Sequence, residues 1–486
     1  MSIQTAPQAK KFDPLVVHII ITAFLMIGFG FLPPTGALTP YGMRVIGIFF
    51  GLIYGWITCG LVWPNLLAFF IVLLFDVMPL NEFLAAGLGT DTTMLLIFAI
   101  ILITAVNESG LGRFMAAWLL SRKILEGRPW MFTAGFLLAT FLLTSFANPY
   151  VTIIIFWGIL YNVLNIFQIK AGELYATVMV CGVVLAATLG MSVFPFKGIA
   201  MILLKVYQNI SGVSVGYAQW IIFVLVMGVL SVLGYVLIAR FIFRVDVSKI
   251  QGISSQIIDQ EDLVMTVTKK WMFFFLLSFI GIVLLSGFLP ADWALVVVLK
   301  RLGTVGVLAG VLTLMLWIKV EGKPLLDFNG TAKRGMLWDM LTCCIVVLPI
   351  AGILTTDATG LQPFLVTLLD PVFAGMPPLL FMFSIALLGI VLTNFLQNFI
   401  VALMFLPILC SFTAAMGINS APGAVLLIFG VHLALLTPAA SPFAAMLFAN
   451  TEWIKAGDVY KIMSVTLTLL ALLCATVGLA FVSVLF

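Results

Sequence analysis

Long apolar runs dominate the chain, and most of them have the length of a membrane-spanning helix. Crossing about 30 Å of hydrocarbon takes about 20 helical residues. By that measure the sequence predicts an all-α polytopic membrane protein with about eleven transmembrane helices. Their expected ranges are 14–32, 41–59, 61–79, 92–108, 174–206, 217–243, 271–289, 294–318, 335–354, 423–449 and 462–485.

Two further apolar stretches, 131–164 and 379–412, are interrupted by polar residues at their centres. The interrupting residues are Ser145, Asn148 and Pro149 in the first stretch and Thr393, Asn394, Gln397 and Asn398 in the second. Each flank holds about 14 residues, which at 1.5 Å per residue gives about 21 Å, too short to cross the hydrocarbon. The pattern therefore predicts two re-entrant hairpins, whose tips are buried in protein or line an aqueous cavity.

Two of the predicted spans also contain breaks. The span from 174 is interrupted over residues 190–198, and the span from 423 is interrupted over residues 436–443. Proline removes a helical hydrogen-bond donor and frees carbonyl groups. Pro195 and Pro442 in these segments therefore predict broken helices.

The hairpin and the broken helix occur twice. Pro195 follows Asn148 by 47 residues, and Pro442 follows Asn398 by 44. An odd number of spans between the two copies predicts inverted repeats, which point to a secondary transporter with its site at the midplane. The expected organisation is an N-terminus with the first helix (1–37), a first repeat (38–244), a cytoplasmic linker (245–270) and a second repeat (271–486).

The positive charges indicate an orientation. Most of the 23 lysines and arginines fall on the predicted face that also holds Lys10 and Lys11. The positive-inside rule then predicts a cytoplasmic N-terminus and an outside C-terminus in a plasma or inner membrane. Residues 110–128 and 357–375 have the pattern of interfacial amphipathic helices on the two faces.

Composition narrows the function. With 63% hydrophobic and 9% charged residues, against about 45–50% and about 25% in soluble proteins, the chain is not a soluble enzyme. A net charge of +4 is too scattered to indicate nucleic acid, and the two histidines and six cysteines have no metal-ligand spacing. No organic cofactor is expected. A membrane-embedded enzyme is excluded because Ser192, Ser441 and Thr437 have no histidine or carboxylate at a suitable spacing.

The most specific motifs lie in the second half. They are residues 393–399 leading to Phe405, Leu406 and Pro407, and residues 440–445 leading to 453–458. From about residue 38 onward the chain resembles the divalent anion:sodium symporter family of the ion transporter superfamily. That resemblance implies a homodimer with a scaffold domain and an elevator-like transport domain, carrying a dicarboxylate or related anion with sodium ions.

The tips depart from the family pattern. Where the family has Ser-Asn-Thr at both tips, this chain has Ala147-Asn148-Pro149 and Gln397-Asn398-Phe399. Both asparagines remain, whereas the hydroxyls that bind carboxylate in the family are replaced. The substrate is therefore expected to be a small organic anion, either a dicarboxylate or a monocarboxylate with an apolar part.

The candidate site combines the two tips with the two breaks. The expected substrate-binding residues are Ser145, Asn148, Ser192, Lys197, Thr393, Gln397, Asn398, Ser441 and Pro442. The resemblance further implies sodium at Asn148, Gly190, Asn398 and Ala440. The alternatives are structural: an asparagine that caps its own turn, a glutamine that bonds across helices, or hydroxyls that satisfy local backbone.

Lys197 is the least expected residue of the first break. An ammonium inside the membrane is unfavourable by about 2.5–3.5 kcal/mol on insertion scales and is usually paired or functional. Three interpretations stay open: a tethered cation at or beside a sodium site, a direct contact to the substrate, or a side chain that snorkels to the interface. Its counterpart in the second repeat is Ala444. His432, ahead of the second break, is either a proton carrier or a buried hydrogen-bonding residue.

The sequence thus predicts a secondary active transporter of small organic anions, and the family resemblance implies that it is coupled to sodium and works by elevator alternating access. A sodium-independent exchanger or a proton-coupled carrier, with Lys197 in place of the coupling cation, is the alternative. A channel would need a continuous polar lining rather than four paired breaks. A cation/proton antiporter would need intramembrane carboxylates, which the tips and breaks lack.

Overall fold

The computed structural model describes residues 14–121, 127–250, 263–289, 292–354, 356–373 and 375–486. Sheet within these ranges is limited to one antiparallel pair of two-residue strands, β1 (Lys319–Val320) and β2 (Lys323–Pro324). The rest of the regular structure is helical, so the all-α fold class is confirmed.

Helices make up most of the described ranges. Those of the first half are α1 (Pro14–Gly28), α2 (Pro40–Cys59), α3 (Val62–Leu74), α4 (Leu80–Gly87), α5 (Asp91–Glu108), α6 (Leu111–Leu120), α7 (Pro129–Phe146), α8 (Pro149–Ile166), α9 (Leu174–Gly190), α10 (Gly198–Ser211) and α11 (Tyr217–Leu237). Those of the second half are α12 (Val267–Phe288), α13 (Ala294–Trp317), α14 (Phe328–Gly335), α15 (Trp338–Leu354), α16 (Leu361–Phe373), α17 (Pro378–Leu392), α18 (Asn398–Ala415), α19 (Ala421–Gly430), α20 (Pro442–Ala449), α21 (Ala456–Leu473) and α22 (Leu479–Leu485).

Eight continuous helices of the described ranges are long and apolar enough to cross a membrane. They are Pro40–Cys59, Asp91–Glu108, Pro129–Phe146, Pro149–Ile166, Tyr217–Ile242, Ala294–Trp317, Asn398–Ala415 and Ala456–Leu485. Five of them overlap predicted spans, and the other three are hairpin arms. The polytopic membrane character is confirmed, whereas the number of eleven crossings stays a prediction.

Both predicted hairpins fold back on themselves. The rings of Phe136 on α7 and Phe156 on α8 lie 5.1 Å apart between centroids, although their chain positions flank the tip. Phe381 at the start of α17 likewise lies 5.6 Å from Phe412 near the end of α18. Each pair of arms is therefore antiparallel.

The predicted arm length is wrong for three of the four arms. Helices α7, α8 and α18 have 18 residues each, which corresponds to about 27 Å, and only α17 is shorter, with 15 residues. The interruption is narrower than the polar residues suggested, because Ser145 continues α7 by donating to the Leu142 carbonyl. Contacts between the arms show that the chain reverses direction at each tip, and the re-entrant character of the hairpins stays a prediction.

The two broken helices are present, with one shifted boundary. Residues 191–197 separate α9 from α10, and residues 431–441 separate α19 from α20. The second break begins five residues before the predicted position. Pro442 does not interrupt a helix there but is the first residue of α20. N–H groups in the first turn of a helix have no acceptor within the helix, so a proline breaks no hydrogen bond at this position.

The chain forms two compact units. The first contains residues up to Leu88 together with Trp338–Phe364, so it combines α1 to α4 with α15. The second contains Gly89–Leu337 and Leu365–Phe486, and it holds both hairpins and both broken helices. Inside the second unit, α9 is buried along nearly its full length, which places the first break in the protein interior.

Candidate functional site

The first tip is a two-residue break between α7 and α8. Ala147 and Asn148 have extended backbone conformations, and Pro149 begins α8. The side-chain oxygen of Asn148 accepts the backbone N–H of Tyr150 at 2.9 Å, and its carbonyl accepts the hydroxyl of Thr152 at 3.0 Å. Asn148 is therefore the N-cap of α8, which is the local reason for an asparagine at this position.

This cap determines which end of the Asn148 amide remains available. The oxygen faces a backbone donor, so the amide nitrogen is the free end. That nitrogen makes no hydrogen bond to the residues in the described ranges, and the side chain is half-buried. The group suits an acceptor such as a carboxylate better than a cation.

Lys197, at the end of the first break, lies against this tip. Its ammonium donates to the carbonyl oxygens of Thr144 at 2.7 Å and Ala147 at 3.3 Å. Only 8% of the residue is exposed, so the snorkelling interpretation is wrong. The next residue, Gly198, has a φ of +64°, which favours glycine and turns the chain directly into α10. Lys197 thus satisfies two carbonyls at the end of α7, where the helix dipole is negative.

The second tip is bonded to the second break without a charge. The Asn394 side-chain oxygen accepts the backbone N–H groups of Leu435 at 3.0 Å and Leu436 at 2.9 Å. Its amide nitrogen donates to the Ile390 carbonyl at 2.8 Å, and its own carbonyl accepts the Thr437 hydroxyl at 2.7 Å. Asn394 is fully used in holding the tip to the break.

Asn398 is the first residue of α18, one position after the N-cap Gln397. Its side-chain oxygen accepts the Phe399 N–H at 2.9 Å, and its own N–H donates to the Ala440 carbonyl at 3.1 Å. The residue is buried, and its amide nitrogen donates to no residue that the structure describes. Gln397, just before α18, is half-buried, and its side chain has no hydrogen bond within the same ranges.

The two halves meet at the starts of four helices. The ring of Tyr150, in the first turn of α8, lies 4.8 Å from the ring of Phe443, in the first turn of α20. The bonds described above join the start of α10 to the first tip and the start of α18 to the second break. Helix N-termini carry partial positive charge and unpaired N–H groups. These contacts connect the starts of α8, α10, α18 and α20 with one another. The region that they form is suited to an anion.

The hydroxyls expected at the site are all engaged with backbone. Each donates to a carbonyl oxygen: Ser145 to Leu142 at 2.6 Å, Ser192 to Leu189 at 2.7 Å, Thr393 to Val431 at 3.3 Å and Ser441 to Ala434 at 2.8 Å. Ser441 also accepts the Ala444 N–H at 3.1 Å and so caps α20 ahead of Pro442. These residues shape the helix ends, and their protons are already used.

The oxygens expected to bind sodium also have hydrogen-bond donors. The side-chain oxygens of Asn148 and Asn398 accept the N–H groups of Tyr150 and Phe399, and the Ala440 carbonyl accepts the Asn398 N–H. The Gly190 carbonyl accepts the Val193 N–H at 3.2 Å. Gly190 has a packing role as well, because a Cβ there would collide with the carbonyl oxygen of Phe141.

His432 lies within the second break rather than in the helix ahead of it. Its Nδ1 is 2.8 Å from the Ile428 carbonyl oxygen, and the side chain is buried. The prediction that His432 precedes the break is wrong, because α19 ends at Gly430, two residues before His432.

Two cavities adjoin the first tip. One, of about 10 Å³, is lined by Ser145, Phe194, Phe196 and Lys197 among others, and has room for one water molecule at most. Phe196 packs on Phe279 with 4.9 Å between ring centroids, so it is a packing residue. The second cavity, of about 330 Å³, is bordered by Ala147.

Sequence reasoning did not assign Asn394, Thr437 or Asn107 to the site. Asn107 accepts the Asn148 N–H through its side-chain oxygen at 3.4 Å. The signal for Asn394 was present, since an amide in an apolar run needs partners, but the partners lie 41 and 42 residues away in sequence.

Comparison with solved structures gives the same overall architecture. The chain is similar to the YdaH transporter of Alcanivorax borkumensis, described as having an unusual topology, at 13% identity over 97% of this chain and 98% of that one, with a TM-score of 0.56. It is also similar to MtrF of Neisseria gonorrhoeae, described with a class of antimetabolite efflux pumps, at 14% identity over 97% and 95% of the chains, with a TM-score of 0.53. These identities indicate a shared fold.

A comparison with curated protein sequences gives no match. The model of one family, described as the sodium:sulfate symporter transmembrane region, matches residues 13–486. The resemblance found in the sequence motifs is confirmed, and the chain belongs to this family of membrane transporters.

Proposed function

We propose that the protein is a secondary active transporter of small organic anions, di- or monocarboxylates, bound where α8, α10, α18 and α20 begin. The single observation that supports it best is the contact between Tyr150 and Phe443, which joins the first tip to the second break. The partial positive charge at the starts of these four helices favours an anion.

The two free amide nitrogens give the site its specific donors. The side-chain oxygens of Asn148 and Asn398 accept backbone N–H groups, which leaves their amide nitrogens available. Two amide donors on opposite halves can bind the two oxygens of one carboxylate or one carboxylate each. Mono- and dicarboxylates are therefore both candidates.

Lys197 favours a second candidate, a carrier that needs no sodium in its first half. Carbonyl oxygens at a helix end are the ligands a sodium ion would use, and here an ammonium occupies two of them. Sodium coupling, if present, would then be confined to the second half around Asn398 and Ala440. A sodium-independent exchanger and a proton-coupled carrier both fit that arrangement.

The movement proposed for transport is an elevator-like displacement in a homodimer. The order hairpin, broken helix and closing helix occurs in α7 to α11 and again in α17 to α21, which supports the inverted repeats 38–244 and 271–486. One compact unit combines helices of both halves and lacks both hairpins. That division is the one a fixed scaffold would need.

Asparagine-to-aspartate substitutions test the anion site. In Asn148→Asp and Asn398→Asp, one carboxylate oxygen can still accept the backbone N–H that the amide oxygen accepted. The other, negatively charged oxygen takes the place of the free amide nitrogen. In proteoliposomes we expect saturable, concentrative uptake of at least one of labelled succinate, hexanoate and benzoate. Either substitution is expected to reduce that uptake at least about tenfold. The aspartate carboxylate would repel the anionic substrate, whereas the asparagine nitrogen would donate a charge-assisted hydrogen bond to it.

Asn419→Asp is the control. The Asn419 side-chain oxygen also accepts a backbone N–H, that of Ala421, but the residue is exposed and its amide nitrogen already donates to the Phe486 carbonyl. Uptake should be retained in this variant. Passive conductance instead of accumulation would indicate a channel, and normal uptake in both tip variants would overturn the proposed site.

A further inference from the structure

The cavity of about 330 Å³ beside the first tip has the features of a binding site of its own. It is bounded by the end of α5, the start of α6, the end of α7 and the first two turns of α8. Its volume lies at the lower end of the range of about 300–1,000 Å³ for small-molecule sites. Ala147 belongs both to its wall and to the tip, so a ligand here adjoins the proposed transport site.

The charges around this cavity favour an anion. Glu108 is neutralised by Arg334, whose Nε and Nη2 lie 2.6 Å and 2.9 Å from the two carboxylate oxygens. Arg113, on the wall, forms no ion pair with a carboxylate of the described ranges. Lys269 adds positive charge close to Gly110, which lines the cavity. A Cβ placed on Gly110 would lie 3.5 Å from the Cε atom of Lys269. Within the part of the chain that the structure describes, the Arg113 guanidinium is therefore not neutralised by an ion pair.

The lining also contains an amide donor and an apolar wall. The Asn107 oxygen accepts the Asn148 N–H, which leaves the Asn107 amide nitrogen as the end that can donate. Leu143, Val151 and Ile155 supply the apolar side. A ligand with one carboxylate and a hydrocarbon part would match both the polar and the apolar side of the cavity.

We propose that this cavity is a second anion site, which binds the carboxylate of an amphiphilic monocarboxylate through Arg113 and Asn107. The hydrocarbon part of the ligand lies on Leu143, Val151 and Ile155. The inference rests on the proposed function in one respect: a ligand held here waits beside the first tip before or after transport. Guanidinium suits this task because its planar donors match the two oxygens of a carboxylate.

A thiol placed in the cavity measures occupancy without any transport. Ile155→Cys is introduced together with Cys59→Ser, because Cys59 is the single native cysteine that is not buried. We expect an anionic methanethiosulfonate to label Cys at 155 about tenfold faster than a cationic one of the same size. Hexanoate and benzoate should slow the labelling, and Arg113→Gln should abolish the preference and weaken protection about tenfold.

Arg128→Gln serves as the control, since Arg128 is also exposed but does not line the cavity. The preference and the protection should both persist in it. Equal labelling rates for the two reagents, or no protection by hexanoate and benzoate, would overturn the second site. Adding Asn148→Asp separates the two proposals: protection that persists when uptake is lost supports the cavity site on its own, and uptake without protection supports the transport site alone.

Discussion

The side-chain ammonium of Lys197 lies 2.7 Å from the carbonyl oxygen of Thr144, across the interface between the first break and the first hairpin. The second half makes the corresponding connection with the neutral hydroxyl of Thr437, bonded at 2.7 Å to the Asn394 carbonyl. Both halves therefore hold a tip to a break by a side-chain donor on a backbone carbonyl, but only the first half uses a charge. That difference bears on ion coupling.

Replacing Lys197 by Met tests whether its charge takes the place of a cation. The substitution keeps most of the side-chain volume and leaves the Thr144 and Ala147 carbonyls without this donor. Lys197→Met is expected to lower uptake about tenfold in sodium-free buffer, since two buried acceptors lose a charged donor. Raising sodium should restore part of the uptake, because the vacated carbonyls can ligate a small cation.

Lys205→Met is the matched control on the same helix. Lys205 pairs with Asp91 at 3.1 Å, and the carboxylate of that pair is largely exposed. Its loss should change neither uptake nor the sodium dependence by more than about twofold. If Lys197→Met retains the uptake and the cation dependence of the unaltered protein, both functional interpretations of this lysine fail.

Asn394 is expected to be a stability residue rather than a binding residue. Asn394→Leu leaves the N–H groups of Leu435 and Leu436 without an acceptor. At about 1–3 kcal/mol for each buried unpaired group, the free energy of unfolding should fall by about 2–6 kcal/mol. Thr437→Val removes a single hydrogen bond and should lower it by only about 0.5–1.5 kcal/mol. Denaturant unfolding in detergent gives both values, and equal losses would contradict this assignment.

The large features of the fold could be predicted because each depends on local sequence. Apolar runs of spanning length, and prolines within them, indicate helices and breaks without knowledge of any long-range contact. The same reasoning overestimated the width of the first tip, since Ser145 stays helical by bonding its own turn. Polar residues within an apolar run indicate roughly where a helix is interrupted. They do not indicate which residues have a non-helical backbone.

The chemistry of the site was less accessible to sequence reasoning. Asn148 and Asn398 were expected to offer both ends of their amides, yet each side-chain oxygen already accepts a backbone N–H. Asn107 was not assigned at all, because its bond to Asn148 joins positions 41 residues apart. Such choices are decided by which backbone groups the fold brings within hydrogen-bonding distance, and a single sequence does not contain that information.

Glu173, outside the membrane-spanning helices, is expected to make stability depend on pH. Its carboxylate accepts the Lys170 N–H at 2.8 Å and the Lys249 ammonium at 2.8 Å. The backbone bond to Lys170, followed by the bond to Lys249, lowers the pKa of Glu173. A lowered pKa in the folded state gives stability above the unfolded value of about 4.3, which is lost as the pH falls through the folded value.

Glu173→Gln should accordingly lower Tm at pH 6 to 7 and have a shrinking effect as the pH is reduced towards 3. Glu321→Gln, at an exposed turn residue between β1 and β2, is the reference substitution. Thermal unfolding in detergent across this pH range measures both. A deficit for Glu173→Gln that grows in acid would have the wrong sign and would contradict the role given to this carboxylate.

The contact between Tyr150 and Phe443 can be tested by cross-linking. Their rings lie 4.8 Å apart between centroids, so thiols at both positions should be joined by a short bifunctional methanethiosulfonate. In the Cys59→Ser background, Tyr150→Cys with Phe443→Cys is expected to give one intramolecular cross-link, identified by mass spectrometry of the digested protein. Tyr150→Cys with Leu314→Cys, on the exposed side of α13, is the control pair and should give none. Because this contact brings the two halves of the anion site together, a failure to cross-link under any transport condition would remove the basis for a shared site, whereas protection from cross-linking by hexanoate or succinate would place the ligand between the two helix starts.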